Sequence, residues 1–375
     1  MDTTEVVSQE WGHVLSLMPR DLEESCRANA ALSRRRQLVC AADLLRLCLA
    51  YSLCDMSLRR VAAWAEVIGL GRLSDVAVLK RLRAAAPWLG RLVAQWLVER
   101  GLAAPALRGL VRLVDATTIS RPGSTGTDWR LHLGLDLGAQ RIVSVELTDG
   151  GGGETLRRHR PRAGQIVVAD CGYASGSGLA SALERGAHVV VRGQLQHTGL
   201  RTRRGGRLDL VALLETLGPD EVADWPVAVD DGARRWPMRL VAVKKSAAAA
   251  ERARWRVADK ARKNRTRPSR AALTAAQYIY VVTDLRREQA SAVDVLELYR
   301  CRWQIELVFK RLKSVLALDA LRAKSAALAR TYLLGKILGA LIVEELTGAA
   351  LSFSPWGFCL PRAPAEPVAV AHAVG

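Results

Sequence analysis

The spacing of apolar residues changes near Arg108, from a helical period to a period of two, and that change limits what the chain can fold into. Over residues 21–102 apolar side chains recur at i, i+3 and i+4, as at Leu44, Leu45, Cys48 and Leu49, with arginines on the other faces, which predicts helices. From Gly109 the period is two. Residues 109–114 read as a strand running into Asp115; Leu131, Leu133, Leu135 and Leu137 alternate strictly, and Val143, Val145 and Leu147 resume the alternation after a turn at Gly138, which predicts an antiparallel hairpin. Residues 165–169 form a buried strand ending at Asp170, followed by a helix over 178–186 and a strand over 188–192. Strand, hairpin, strand, helix, strand makes a mixed sheet, so the expected class is α/β (α+β), preceded by an all-α domain.

Two segments interrupt this order. Residues 195–275 are dense in Arg and Lys, with Trp225, Trp236 and Trp255 interleaved, and read as an inserted, β-rich basic module. After residue 345 the pattern is lost in a Pro/Ala/Val tail, read as disordered. The expected domains are therefore helical residues 1–105, a sheet domain in two parts over 106–194 and 276–345 that is split by the insertion, and the tail 346–375. The second part carries a strand over 278–283 and one long helix over 291–316.

Lys and Arg number 55 against 37 Asp and Glu, a net charge of +18, which favours a polyanionic partner held through phosphate contacts. Within the helical segment, Ser57 and Ser74 each open a short helix, and Gly69 and Gly71 join the two. This is a helix-turn-helix shape that would bring Lys80, Arg81 and Arg83 to DNA; an ordinary hairpin with solvated basic faces fits the same pattern. The run Lys260–Arg267 admits the same two readings, a phosphate track or a solvated charge run. The seven cysteines include no C-x-x-C pair, so neither a zinc site nor a disulfide framework is indicated. The N-terminus has no apolar segment of signal-peptide type, and the most apolar stretch, over 333–353, is interrupted by Lys336, Glu344 and Glu345. A soluble protein is expected, with no membrane partner.

Chemistry is concentrated at three places. Asp115 and Asp170 follow apolar strands, where a side chain leaves the core and faces a cleft. On the helix over 291–316, Tyr299, Arg302, Glu306 and Lys313 fall on one face roughly 60° wide at ~100° per residue. An acid, two cations and a phenol on one stripe suit a metal-binding carboxylate beside groups that grip a phosphodiester, although a solvated face also carries mixed charges. Lys310, at i+4 from Glu306, extends the basic side. His132 alternates away from the leucine face and is expected to make a structural hydrogen bond rather than to ligate metal. No serine or cysteine has a partner histidine at an informative spacing.

The spacing Y-x2-R-x3-E-x6-K, together with Asp115 in Leu113-Val114-Asp115-Ala116-Thr117-Thr118 and Asp170 in Asp170-Cys171-Gly172-Tyr173, resembles the DDE transposases of bacterial insertion sequences of the IS4 type. The resemblance runs from about residue 40 to 345 and fades after Leu341. It implies an RNase H-like catalytic domain interrupted by a mostly β insertion between the second Asp and the Glu. It implies Asp115, Asp170 and Glu306 as the triad holding two Mg²⁺ or Mn²⁺ ions, with Tyr299, Arg302 and Lys313 positioning the phosphates of the transposon end. The implied partners are the terminal repeats, the target DNA and a second copy of the chain, in the bacterial cytoplasm at the nucleoid. Strand release through a hairpin, frequent in this family, needs a flipped base to be stacked. Tyr278, Tyr280 and Trp255 are the candidates for that role, and Trp303 is expected to pack in the core. A metal-dependent nuclease, or a protein that only binds DNA, remains the alternative reading.

Overall fold

The computed structural model describes residues 3–102, 111–139, 141–195, 198–219 and 221–352. They divide into two compact units, one formed from the chain up to Leu89 and from Thr331 onward, the other from Gly90–Arg330.

The first unit is helical: α1 (Thr3–Ser16), α2 (Leu22–Ala28), α3 (Ala41–Leu53), α4 (Leu58–Val67), the first half of α5 (Asp75–Leu102) and most of α12 (Ala326–Ser352). Helix α3 is opened by the Asp43 carboxylate, which accepts from the Val39 N–H at 3.0 Å, and it buries Leu44, Leu45, Leu47 and Cys48 completely. Ser57 and Ser74 cap α4 and α5 as the sequence implies, accepting from the Arg60 and Ala77 N–H groups. The second helix, however, is not short, because α5 runs for 28 residues.

The unit is closed by a segment from the far end of the chain, which differs from the expected N-terminal domain of residues 1–105. In α12 a Cβ on Gly335 would lie 2.2 Å from the Ser52 hydroxyl, so only glycine lets α12 approach α3 this closely. Thr331 Oγ1 donates to the Leu82 carbonyl at 2.5 Å and Tyr332 Oη to Asp55 at 3.0 Å, fixing the same contact. Residues Ala326–Thr347 are long and apolar enough to cross a membrane, yet 78% of their most apolar window is buried inside the protein. The tail expected to be disordered from residue 346 is helical through Ser352; the remainder lies outside the described residues.

The second unit is built on nine strands: β1 (Val111–Ile119), β2 (Trp129–Asp136), β3 (Arg141–Asp149), β4 (Ile166–Ala169), β5 (His188–Arg192), β6 (Leu200–Thr202), β7 (Val222–Asp230), β8 (Arg235–Lys244) and β9 (Tyr278–Thr283). They form one mixed sheet in the order β3-β2-β1-β4-β5-β9-β8-β7-β6. The β1-β4-β5 pairings are parallel and the rest antiparallel. The helices of this unit are α6 (Gly176–Leu183), α7 (Leu210–Glu215), α8 (Ala247–Lys263), α9 (Arg270–Ala275), α10 (Ala292–Arg300) and α11 (Trp303–Ser314).

The expected insertion does not form a separate β module. Its strands β6 to β8 continue the sheet through β9, and Val227, Val229, Met238 and Leu240 share one buried cluster with Val114, Val167, Val189 and Val191. Pairing β8 with β9 also removes an exposed edge from the sheet. Much of the segment, expected to be β-rich, is helical, and the basic residues 251–263 lie on α8.

Candidate active site

The parallel pairing of β1 with β4 runs from Val111↔Ile166 to Val114↔Ala169 and stops there. Asp115 and Asp170 are the next residues on the two strands, so the register itself makes them neighbours. Asp115 does not end its strand, as the sequence suggested. β1 continues to Ile119 because β2 pairs with it throughout, with Asp115 opposite Leu133. Asp170 does end β4, and its Oδ1 accepts from the Cys171 N–H at 2.7 Å to open a short 3₁₀ turn over Cys171–Tyr173.

The third group comes from helices. The single helix expected over 291–316 is broken: α10 ends at Arg300, Cys301 and Arg302 form a tightened turn, and α11 begins at Trp303. The Arg302 N–H bonds to the Tyr299 carbonyl and the Gln304 N–H to the Cys301 carbonyl, i→i+3 bonds that wind the chain more tightly than an α-helix. Tyr299 and Glu306 therefore sit on separate helices, and a single-helix wheel does not describe their arrangement. The break directs Tyr299 Oη to Asp170 Oδ1 at 3.2 Å. It places the Arg302 guanidinium 2.6 Å from Glu306 Oε1 and 3.8 Å from Asp115 Oδ2.

Electrostatics follow from this packing. Burial raises the Asp115 carboxyl to about 6 against the pull of the Ala116 N–H and Arg302, and the charges of Asp170 and Glu154 add to the rise. Burial, then the charge of Asp170, pushes Tyr299 up to about 12, so its hydroxyl stays a donor. A cleft of about 590 Å³ is lined by Asp115, Thr117, Glu306, Lys310, Lys313 and Asp319, among others. The structure thus brings together Asp115, Asp170, Tyr299, Arg302, Glu306, Lys310 and Lys313.

Residues 107–342 match a protein family described as transposase DDE domain, more than half of the chain. The chain is 38% identical over 357 residues to the transposase for insertion sequence element IS421 of Escherichia coli, covering 92% of this chain and 96% of that protein. It is equally similar, over the same shares, to the protein InsL for insertion sequence element IS186A of Escherichia coli (strain K12). It is 26% identical over 263 residues to the transposase for insertion sequence element IS231F of Bacillus thuringiensis subsp. israelensis, covering 61% of this chain and 54% of that protein. The chain belongs to the DDE-domain transposases. Its activity is DNA transposition, with DNA as substrate and strand cleavage and strand transfer as the chemistry, and the family works with divalent metal.

The transposase's residues suit such an ion in donor type. Aspartate and glutamate oxygens favour hard divalent cations, and a cation would offset the charges of Asp170 and Glu154, which add to the mainly burial-driven rise of the Asp115 carboxyl. Among the described residues no three acids, histidines or cysteines already stand close enough to hold a metal. Arg302 lies between Asp115 and Glu306 and is the cation that both carboxylates face.

Other expected residues are placed differently. Lys80 is exposed on α5, whereas Arg81 donates to the Arg34 carbonyl and so ties α5 to the segment before α3. Tyr278 and Tyr280, at 3% and 6% exposure, are core residues and cannot stack on a base, while Trp255 at 65% can. Trp303, expected in the core, is 53% exposed, because the break before α11 turns it outward. His132 is fully buried with Nε2 3.1 Å from Thr148 Oγ1; burial lowers it to about 4, which keeps the ring neutral and structural. Arg192, 4.0 Å from Asp170, was missed; its signal was an arginine closing the strand next to β4.

Proposed function

We propose that Asp115, Asp170 and Glu306 hold two divalent cations, Mg²⁺ or Mn²⁺, on an RNase H-like scaffold, and that the protein excises and inserts an insertion sequence by cut-and-paste. The observation that carries this reading is the convergence of strand register and helix break: Asp115 and Asp170 follow the paired residues Val114 and Ala169, and Arg302 brings Glu306 to them. Divalent metal bound by these carboxylates would supply activation of water or a 3′-hydroxyl on one side of a phosphate and charge stabilisation of the leaving oxygen on the other.

The chain's own groups do the rest. Tyr299 donates to Asp170 Oδ1 and fixes its carboxylate, leaving the second oxygen for a cation. Lys310 and Lys313 line the cleft beside Glu306, where ammonium groups hold a phosphate as point charges. Arg302 exchanges Glu306 for a phosphate of the element's end, which frees Glu306 for its role as ligand. The exposed basic face of α8, with Trp255 among Arg252, Arg256 and Lys260, and the exposed Lys80 extend DNA contact away from the cleft. The N-terminal helices bind the terminal inverted repeats, and two copies of the chain synapse two ends in the bacterial cytoplasm, at the nucleoid.

The test is a labelled duplex bearing one element end, incubated with Mg²⁺ and resolved on a denaturing gel. Site-specific nicking by the wild type, lost in Asp115→Asn, Asp170→Asn and Glu306→Gln while end binding persists, is expected. Binding without nicking by the wild type would leave a protein that only binds DNA. Nicking without joining to target DNA would leave a nuclease.

A further inference from the structure

Two turns at the β6 edge of the sheet gather arginines that the cleft does not use. After β6 the chain folds back through residues 203–206, with the Gly205 N–H on the Thr202 carbonyl at 2.8 Å and the Thr202 N–H on the Gly206 carbonyl at 2.9 Å, and Arg207 pairs back onto Arg201. Beside it, residues 231–234 join β7 to β8 above the pair Asp230↔Arg235. The two turns are locked together. Arg235 donates to the Arg204 carbonyl at 3.4 Å, and a Cβ on Gly205 would collide with the Arg235 guanidinium, so residue 205, with φ +92°, must be glycine on both counts. Arg203, Arg204, Arg207, Arg234 and Arg235 are all exposed on this double turn.

The acids of the two turns are spent inside them. Asp230 faces Arg201 at 3.7 Å, and Asp231 accepts from the Ala233 and Arg234 N–H groups at 2.8 Å and from Trp236 Nε1 at 2.7 Å. Among the described residues no carboxylate forms an ion pair with any of the five outward guanidinium groups. Arg234 lies over the Trp236 ring, 3.2 Å from its centroid, which fixes the direction of one of them. Five like charges on adjoining turns repel one another, and a polyanion relieves that repulsion. The patch also adjoins the site. A Cβ on Gly176 would collide with the Asp230 carbonyl, so the base of the β7–β8 turn packs on the first residue of α6. Gly176 follows Asp170 by six residues, which span at most about 20 Å. With the reach of an arginine added, the patch stands within one helical turn of duplex from Asp170, roughly 34 Å.

We infer that the paired turns 203–207 and 231–235 form a phosphate-binding surface for the backbone of duplex DNA, gripping it less than one helical turn from the phosphate under attack. Guanidinium forks match phosphate oxygens two at a time, and such contacts fix the course of a duplex without reading its sequence. The inference rests on reading the cleft beside Asp115 and Asp170 as the place where DNA is cut, and it assigns Gly205 and Gly176 a purpose, that of letting the two turns meet and dock on α6.

The experiment follows binding of the full-length protein by fluorescence anisotropy across a salt series, with an element-end duplex and a random-sequence duplex of equal length. In the triple variant Arg203→Ala, Arg207→Ala, Arg234→Ala, the slope of log K against log salt is expected to fall by about 2.7 units, at ~0.9 per lost phosphate contact. A fall on both duplexes supports the inference and gives the surface to flanking or target DNA; a fall on the element end alone supports it and gives the surface to the end. Lysine at the three positions keeps the charges and should keep the slope. A control removes the same charge from the exposed Arg160, Arg185 and Arg286, at the opposite end of β4, β5 and β9 from Asp170, and should leave the slope unchanged. An equal fall in that control, or an unchanged slope in the triple variant on both duplexes, overturns the inference. If the triple variant fails to fold, Arg203→Ala alone, at an exposed turn, decides the matter with an expected fall of about one unit. Loss in Lys313→Ala without loss in the triple variant leaves the reading of the cleft intact; unchanged binding in both overturns the two together.

Discussion

Replacing Asp115 with asparagine should stabilise the metal-free protein while abolishing its activity. Asp115 rises from 3.8 to about 6 on folding, mainly because burial disfavours its charge. At ~1.4 kcal/mol per pH unit, a rise of roughly 2 units means that ionised Asp115 costs the native state on the order of 3 kcal/mol. The attraction of Arg302 is already contained in that net shift, because it acts on the same ionisation. The sign is set by proton uptake: between about 4 and 6 the folded protein binds a proton at Asp115 that the unfolded chain does not. Stability from this group is thus fully present below the unfolded value and lost as pH rises through about 6. Asparagine stands in for the neutral form at every pH. Denaturant unfolding in EDTA should show Asp115→Asn ahead of wild type by about 2–3 kcal/mol near neutrality, with the gap closing towards about pH 4. A variant no more stable than wild type at neutral pH would refute the reasoning, since the carboxylate would then be compensated without metal.

Arg302→Ala and Lys313→Ala should each weaken binding to an element-end duplex and lower the slope of log K against log salt by about one unit per lost phosphate contact. An unchanged slope would remove that residue from the DNA. Tyr299→Phe deletes the donor to Asp170, a bond to a charged group worth about 1.5–3 kcal/mol, and should reduce the single-turnover nicking rate about tenfold or more with end affinity preserved. Lost affinity with an unchanged rate would give Tyr299 to the DNA instead. Trp255→Ala with Arg256→Ala on α8 should weaken binding to random-sequence DNA in a filter assay while leaving Mn²⁺ affinity unchanged; equal binding would mean that the α8 face is merely solvated.

The helices of the first unit were legible because each carries its own signals, such as Ser57 and Ser74 at caps and apolar residues one turn apart. The strands β1 to β5 and β9 were legible from alternation and from apolar runs ending at turns. That Asp115, Asp170 and Glu306 belong together was legible because their residue types and spacing form a pattern that survives without coordinates, and the structure brings them to one place through strand register and Arg302. Arg192 was not found, since it lies near Asp170 only through strand register.

By itself the sequence determined the mixed α/β class, the excess of positive charge and the resemblance to the DDE transposases, all properties of residue type and short-range order. Tertiary structure decided the rest. It split the signature helix at Cys301 and Arg302, turned Trp303 outward and buried Tyr278 and Tyr280. It joined β6 to β8 to the catalytic sheet and closed the first helical unit with α12. The reason is physical: hydrophobic period and capping act within one or two turns, whereas strand pairing, helix breaks and the pKa of a carboxylate depend on groups distant in sequence that meet only when the core is formed.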